Sequence, residues 1–239
     1  MKKNKFIVYA HRGASEYAPE NTFSSFYMGL LMGANGIETD VRRSKDGTLI
    51  LFHDRNLERV MGKEGAAEDY TYDELVTFRV KHPQSGREDI VVRLEDFLHY
   101  FSAHDLTLAI ELKGEGIEAD TYALIKKYGL EDRAIVTSFR LDYLINLKKL
   151  YPEASLGYLT EDFDEELLSK MKEIGIGQLC PRATNLTAEK VAAWHGLGFN
   201  VRAWGVKDAL LMKHACECGV DGMTVNFPDR LIEYIIHKG

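Results

Sequence analysis

Short apolar runs with strand character alternate along the chain with longer stretches in which apolar residues recur at helical spacing. The strand-like runs are Phe6–Ala10, Ile37–Val41, Thr48–His53, Thr107–Leu112, Ala134–Ser138, Ser155–Leu159, Ile176–Cys180, Phe199–Trp204 and Gly222–Val225. The helix-like stretches are Asn21–Met32, Glu118–Tyr128, Leu141–Leu150, Glu165–Ile174, Ala188–Leu197, Ala209–Cys216 and Leu231–Ile236. This alternation predicts parallel strands joined by helical crossovers.

Two architectures have this alternation: an open doubly wound sheet and a closed eight-stranded barrel. Eight repeats remain if Ile37–Val41 and Thr48–His53 form one hairpin-like unit. The length of 239 residues is also close to the size of about 250 that is typical of such barrels. We therefore expect an α/β fold of the (β/α)8 TIM-barrel type.

One region, from about residue 54 to residue 83, breaks the rhythm because it is charged and contains glycine. A short helix is predicted around Tyr72–Val80, with Thr71 and Glu74 as its start signal. We interpret the region as a small insertion after the second strand, over one end of the barrel. No linker rich in Pro, Gly and Ser divides the chain, so residues 1–239 are expected to form a single domain.

The composition is that of a globular chain, with 45% hydrophobic residues and a net charge of -7. A negative charge argues against a nucleic-acid or anionic-membrane partner, but a local cation can still attract a small anionic substrate. The apolar run near the start has five residues, Phe6–Ala10, which is fewer than the about 7–15 of a signal peptide. We expect a cytoplasmic protein whose partner is a small molecule; the sequence leaves its oligomeric state open.

Three cysteines, Cys180, Cys216 and Cys218, are an odd number, and two of them lie too close together for a structural disulfide. Residues two apart on a helix point to different faces. We expect small thiols that are buried or half-buried, with a metal-binding pair as the alternative.

The candidate chemistry begins with two carboxylates, Glu38 and Asp40, in the run from Gly36 to Val41. Side chains alternate along a strand, so both acids face away from Ile37 and Val41 and toward the barrel interior. Two confined negative charges repel each other, and a divalent cation would relieve this because hard cations take carboxylate oxygens. The alternative is a strand with an exposed polar face.

A third carboxylate, Glu111, closes another strand and shares a face with Lys113. Three carboxylates at strand ends are what an oxygen-ligand cation site requires. The lysine beside them is suited to hold an anionic oxygen of a substrate. The alternative is an ion pair between neighbouring strands.

Two histidines, His11 and His53, also end strands, at the rim where barrel enzymes place their catalytic groups. Imidazoles exchange protons near neutral pH, and Arg12 offers a planar set of donors for phosphate. Gly13 allows a sharp turn close to a ligand. A hard cation, two basic side chains and two proton carriers together match in-line cleavage of a phosphate ester.

The order and spacing of several motifs resemble the glycerophosphodiester phosphodiesterase family over nearly the whole chain. The early motifs are His11-Arg12-Gly13, Pro19-Glu20-Asn21-Thr22, Gly33-Ala34, Ile37-Glu38-Thr39-Asp40-Val41, Asp46-Gly47 and His53-Asp54. The later ones are Glu111-Leu112-Lys113, Ser138-Phe139, Trp204, Gly219-Val220-Asp221-Gly222 and Asn226-Phe227-Pro228-Asp229. The resemblance implies a (β/α)8 barrel with a small insertion after the second strand, in agreement with the pattern.

Carried over residue by residue, the resemblance implies a role for each candidate. It makes His11 and His53 the acid–base pair. We expect His11 to be the proton acceptor and His53 the donor, an assignment that the sequence does not distinguish from the reverse. The resemblance implies that the metal ligands, for one Mg²⁺ or Ca²⁺ ion, are Glu38, Asp40 and Glu111. Its substrate contacts are Arg12, Lys113, Glu20 and Trp204. Glu20 either orients Arg12 or faces the ligand, and Trp204 either forms an apolar wall for the glycerol moiety or belongs to the barrel core.

The expected activity is metal-dependent cleavage of glycerophosphodiesters to sn-glycerol 3-phosphate and an alcohol, by attack of water or of the glycerol 2-hydroxyl. One alternative is a related barrel phosphodiesterase that acts on a lysophospholipid or a sugar phosphodiester. Another is a barrel that binds phosphodiesters without turnover. A metal-dependent amide hydrolase is disfavoured because the chain has no His-x-His pair.

Overall fold

The computed structural model describes residues 6–238. Its strands are β1 (Ile7–His11), β2 (Gly36–Arg43), β3 (Leu49–Leu51), β4 (Val80–Lys81), β5 (Glu88–Asp89), β6 (Thr107–Leu112), β7 (Ala134–Ser138), β8 (Leu156–Thr160), β9 (Gln178–Pro181), β10 (Asn200–Val206) and β11 (Gly222–Val225). Its helices are α1 (Phe23–Leu31), α2 (Glu58–Met61), α3 (Tyr72–Leu75), α4 (Leu94–Phe101), α5 (Glu118–Lys127), α6 (Leu141–Leu150), α7 (Glu165–Ile174), α8 (Ala188–Gly196), α9 (Ala209–Glu217) and α10 (Pro228–Lys238).

Eight parallel strands, β1, β2 and β6 to β11, form a closed barrel. Closure is set by β1, which pairs with β2 on one side and with β11 on the other. The short strand β3 runs antiparallel to β2, so the two runs that were read as one hairpin-like unit do form one. The predicted (β/α)8 TIM barrel is confirmed, and the open doubly wound sheet is excluded.

The register of the barrel strands places the candidate residues in two neighbouring cross-strand pairs. His11 lies opposite Glu38 across the β1–β2 pair, and Asp40 lies opposite Glu111 across the β2–β6 pair. On the other face of β2, Ile37 and Val41 are fully buried in the apolar layer between strands and helices. The alternation therefore directs both β2 carboxylates into the barrel, as predicted.

Threonine side chains cap the starts of three helices, and the start signal at Thr71 was predicted. Thr22, Thr71 and Thr187 each accept a hydrogen bond from a backbone N–H of the first helical turn. The helix α4 was not among the predicted helices, although its apolar residues have the spacing of a buried helical face. Arg93 precedes that helix and makes no side-chain capping hydrogen bond, so no capping residue signalled its start.

The insertion lies between β3 and α4 and has its own apolar cluster, which includes Ile50, Leu57, Val60 and Leu75. It contains α2, a 3₁₀ turn at Ala67–Asp69, α3 and the hairpin β4–β5. The short helix predicted around Tyr72–Val80 begins as expected but ends at Leu75, and Val80 belongs to β4. The insertion was predicted to end near residue 83, but the hairpin β4–β5 continues past that residue to Asp89. A separate core of this kind can hold a side chain at a fixed place above the barrel rim.

None of the three cysteines forms a disulfide, and their burial is as expected: Cys180 and Cys218 are buried and Cys216 is half-buried. Within residues 6–238, no helix combines the length and the apolar character needed to cross a membrane. The basic start of the chain, residues 1–5, lies outside the described residues.

Gly13 is the fold position at which a side chain is most clearly excluded. Its φ is +81°, and an added Cβ would lie 2.4 Å from the backbone carbon of Ser25. Gly47 has a similar φ of +88° but no heavy atom within 4 Å of an added Cβ, so it is a matched control. We expect Gly47→Ala to lower the free energy of unfolding in urea by about 1 kcal/mol, through φ alone. Gly13→Ala should lower it by about 1–3 kcal/mol more, through the clash. Equal losses would contradict this account of the turn.

Candidate active site

A cavity of about 370 Å³ opens at the carboxyl ends of the barrel strands. Seven of the nine predicted site residues line it: His11, Arg12, Glu38, His53, Glu111, Lys113 and Trp204. The other two, Glu20 and Asp40, lie behind this lining and contact Arg12. The structure thus brings together residues from β1, β2, β6 and β10 that the sequence separates by almost two hundred positions.

Three buried carboxylates form the centre of the site. One oxygen from each of Glu38, Asp40 and Glu111 can be chosen so that all three lie within 4.8 Å of one another. Asp40 Oδ1 is buried and has no aligned hydrogen bond, although Lys113 Nζ lies 3.4 Å away. Such a set of convergent oxygens is what a hard divalent cation binds.

The charges around the triad show why a cation fits there. Burial and repulsion by the neighbouring carboxylates raise the pKa of Glu38, and burial also raises the pKa of Glu111 against the attraction of Lys113. Although burial opposes it, the Arg12 guanidinium and the Lys113 ammonium hold the pKa of Asp40 below its usual range. Lys113 Nζ also lies 2.6 Å from Glu111 Oε1, yet burial still disfavours the charged forms of Glu38 and Glu111, so added positive charge would stabilise both.

Arg12 is held in an unusual backbone conformation, with a φ of +53°. Its backbone N–H donates to the Glu38 carbonyl oxygen at 2.9 Å and lies 3.2 Å from Glu38 Oε2. Its side chain donates to Glu20 Oε1 at 3.1 Å, and its Nε lies 3.2 Å from Asp40 Oδ2. The left-handed turn, which is strained for a residue with a side chain, thus points this guanidinium at the carboxylates.

Asn21 was interpreted as part of the start of the first helix, but it has a further role in the structure. It is buried, its φ is +56°, and its amide donates to Asp40 Oδ2 at 3.0 Å. Its carbonyl oxygen accepts from the Thr39 hydroxyl at 2.7 Å. Asn21 therefore holds the orientation of Asp40 from behind. Thr22, the next residue, is the true N-cap of α1.

The two imidazoles have different partners. His11 Nδ1 lies 2.5 Å from the Oδ1 of Asn226, and His53 Nδ1 lies 2.6 Å from the Oδ1 of Asp54. An amide oxygen and a carboxylate only accept, so the proton of each neutral ring is on Nδ1 and the lone pair is on Nε2. Burial and the Arg12 charge lower the pKa of His11 to about 3. Burial also lowers the pKa of His53, against the opposing effect of Asp40.

Glu20 lies away from the cavity lining and accepts hydrogen bonds from two arginines. One is Arg12, and the other is Arg59 of α2, whose Nη1 donates to Glu20 Oε2 at 2.7 Å. Of the two interpretations of Glu20 that the sequence left open, this geometry matches the orientation of Arg12. Arg59 itself was not among the predicted site residues.

An aromatic wall made of Trp204 and Phe139 lines one side of the cavity. Trp204 and Phe139 meet edge to face with ring centroids 4.9 Å apart, and the Trp204 ring nitrogen donates to the Thr160 carbonyl oxygen at 3.1 Å. A bulge in β10 after Ala203 and the φ of +71° at Gly205 fit this strand end around the ring. Of the two interpretations left open for Trp204, the structure therefore matches a wall of the cavity and not a place in the apolar core between strands and helices.

Arg202 is a charged residue of the barrel interior that the sequence analysis did not identify. It is 1% exposed, and it donates to Gln178 Oε1 at 3.1 Å and to Thr224 Oγ1 at 2.9 Å. Its guanidinium also lies over the Tyr9 ring. Its place at the cavity with Glu38 and Glu111 adds positive charge beneath the acidic triad. Arg202 lies two residues before Trp204 on β10, and side chains two apart on a strand share a face. This alternation would have identified Arg202 as an inward-facing residue.

Metal binding to the triad is tested by thermal unfolding. We expect MgCl₂ or CaCl₂ to raise the melting temperature, since a ligand that binds the folded state at 100 times its Kd adds about 2.7 kcal/mol of stability. Glu111→Gln removes one ligand charge, and the difference between metal and EDTA should shrink to near zero. Glu153→Gln changes an exposed carboxylate of the Lys126 ion pair and should keep the full difference. An undiminished shift in Glu111→Gln would contradict binding at the triad.

Known proteins are similar to this chain in sequence and in architecture. The model of the glycerophosphoryl diester phosphodiesterase family matches residues 11–230. A glycerophosphodiester phosphodiesterase from Bacillus altitudinis is 33% identical over 237 residues, covering 95% of this chain and 96% of the relative. One from Caldanaerobacter subterraneus is 30% identical and covers 98% of this chain and 99% of the relative.

A solved structure of a related protein has a similar fold. It is a phosphodiesterase from Oleispira antarctica in complex with the product sn-glycerol-3-phosphate. The TM-score is 0.87 at 26% sequence identity, with 96% of each chain covered. Sequence and structure agree over nearly the whole chain, which therefore belongs to the glycerophosphoryl diester phosphodiesterase family.

Proposed function

We propose that this enzyme uses a divalent cation and two histidines to hydrolyse glycerophosphodiesters to sn-glycerol 3-phosphate and an alcohol. The observation that carries the proposal is the buried carboxylate triad with Arg12, Lys113, His11 and His53 around one cavity. The product bound to the related Oleispira antarctica enzyme supports the same product class here. One domain over residues 1–239, a cytoplasmic location and a lack of nucleic-acid or membrane partners stay predictions.

In this proposal, Glu38, Asp40 and Glu111 hold one Mg²⁺ or Ca²⁺ ion. A bound divalent cation lowers the pKa of an attacking hydroxyl and neutralises charge that develops on the phosphoryl oxygens. Arg12 and Lys113 are the protein's own cations at the triad, each within 3.4 Å of Asp40. They are placed to bind and orient the phosphate against that same centre, which is the main task of catalysis in a phosphoryl-group reaction.

The partners of the two histidines support the assignment of acceptor and donor. His11 has a neutral amide partner at Nδ1, which leaves Nε2 as the nitrogen that takes a proton from water or from the glycerol 2-hydroxyl. His53 has a carboxylate partner, which stabilises the protonated ring that a proton donor needs. His11 therefore acts as the base, and His53 gives a proton to the leaving alkoxide.

The aromatic wall supports a compact organic group beside the phosphate. Trp204 and Phe139 present apolar surface at the cavity, and Lys113 Nζ lies 5.5 Å from the centre of the Phe139 ring. The glycerol carbons fit against this wall while its hydroxyls stay near the charged centre. The apolar residues of the insertion are used within its own cluster, which favours a water-soluble diester over a lysophospholipid.

The proposal is tested by release of glycerol 3-phosphate from glycerophosphocholine. We expect release with Mg²⁺ or Ca²⁺ and none in EDTA. His11→Ala and His53→Ala should each lower kcat by about 10²–10⁴-fold, the usual contribution of a general acid or base. His237→Ala, an exposed histidine on α10, should match the wild type. No release with any metal by folded protein would contradict the substrate; equal activity of wild type and His11→Ala would contradict the mechanism.

A further inference from the structure

We propose that Arg59, in the insertion, is a positioning residue that fixes the phosphate-binding Arg12 and the proton donor His53 at the same time. The inference rests on the proposed function, since it assigns those two residues their roles. It gives the insertion a part in the reaction, because Arg59 belongs to the first helix of that segment, α2.

The Arg59 guanidinium lies between two carboxylates and binds each with two nitrogens. On one edge, Nε donates to Asp54 Oδ2 at 2.6 Å and Nη2 lies 3.1 Å from Asp54 Oδ1. On the other, Nη1 donates to Glu20 Oε2 at 2.7 Å and Nη2 donates to Glu20 Oε1 at 2.6 Å. Paired contacts of this kind fix orientation as well as distance, and they need the planar shape of arginine.

Each of these carboxylates also contacts a residue of the cavity. Asp54 Oδ1 lies 2.6 Å from His53 Nδ1, and Glu20 Oε1 accepts from Arg12 Nη1 at 3.1 Å. The path His53–Asp54–Arg59–Glu20–Arg12 is therefore continuous. It joins the turn after β1 to the segment after β3, which lie on different parts of the barrel rim.

The position of Arg59 shows why its effect should be on geometry. Its side chain is 47% exposed, whereas those of Glu20 and Asp54 are 16% and 25% exposed. Next to it on α2, Val60 and Met61 are buried in the apolar cluster of the insertion and anchor the backbone. Without Arg59, Asp54 and Glu20 would lose the partner they share and could turn away from His53 and Arg12. A displacement of about 1 Å in a catalytic group costs on the order of 10²-fold in rate.

The first test compares Arg59→Ala and Arg59→Lys with Arg55→Ala. Arg55 is a matched control because it lies in the same segment and pairs with Glu68, away from the cavity. We expect Arg59→Ala to lower kcat and raise KM, with a total loss in kcat/KM of about 10–100-fold, as for other residues that orient site groups. Arg59→Lys keeps the charge without the planar donors and should recover only part of the loss. Arg55→Ala should stay within about twofold of wild type, as an exposed pair contributes little.

Double-mutant cycles separate positioning from a merely structural role. Asp54→Asn should mainly lower kcat, through His53, and Glu20→Gln should mainly raise KM, through Arg12. If Arg59 acts through these carboxylates, adding Arg59→Ala to either variant costs less than the product of the single effects. If the effects multiply while the melting temperature of Arg59→Ala falls, Arg59 only stabilises the insertion and the proposal is overturned.

A measurement that needs no turnover makes the outcome independent of the substrate. In protein with ¹⁵N-labelled histidine, NMR reports which ring nitrogen of His53 carries the proton. We expect the Nδ1–H form in wild type and in Arg55→Ala, and a mixture of tautomers in Arg59→Ala. Loss of the Nδ1–H form supports the proposal even if glycerophosphocholine proves not to be a substrate. An unchanged His53 signal together with wild-type kcat and KM in Arg59→Ala would overturn it.

Discussion

Three carboxylates buried within 4.8 Å of one another are the constraint on which the site depends. Negative charges at this spacing, away from water, repel one another and cost free energy unless positive charge reaches them. Three basic residues of the chain supply positive charge near the triad: Arg12 in the turn after β1, Lys113 at the end of β6 and Arg202 in the barrel interior. In the proposed function, a divalent cation would complete the charge balance, and the same positive charges would attract a phosphodiester anion.

The barrel brings these groups together through register and through two left-handed residues. Parallel pairing of β2 with β1 and β6 sets His11, Glu38, Asp40 and Glu111 at the strand ends. Arg12 and Asn21 have φ values of +53° and +56°, and both contact Asp40. Strain of this kind persists where surrounding contacts fix it, here around the central carboxylate. The insertion adds Arg59, so the segment that interrupts the barrel pattern also contributes to the order of the site.

How much the sequence could predict depends on whether the signal was local. Alternation along β2 was enough to place Glu38 and Asp40 inside, and the start of α3 was readable from Thr71. Asn226 contacts His11 across 215 positions of sequence, and no periodicity reports such a pair. Arg59 was missed because a half-exposed arginine in a charged segment resembles a surface residue until its partners are known. The helix α4 was missed for a different reason. Its apolar residues have helical spacing, but no capping residue marks its start.

The central claim is that the triad binds a cation beside the phosphate of the product. A crystal structure of the protein with Mn²⁺ and sn-glycerol 3-phosphate, with anomalous scattering to locate the metal, tests it most directly. The account predicts one anomalous peak within about 2.5 Å of an oxygen from each of Glu38, Asp40 and Glu111. It also predicts the phosphate in contact with Arg12 and Lys113. A triad whose carboxylates contact only Arg12 and Lys113, with the metal bound elsewhere, would contradict it.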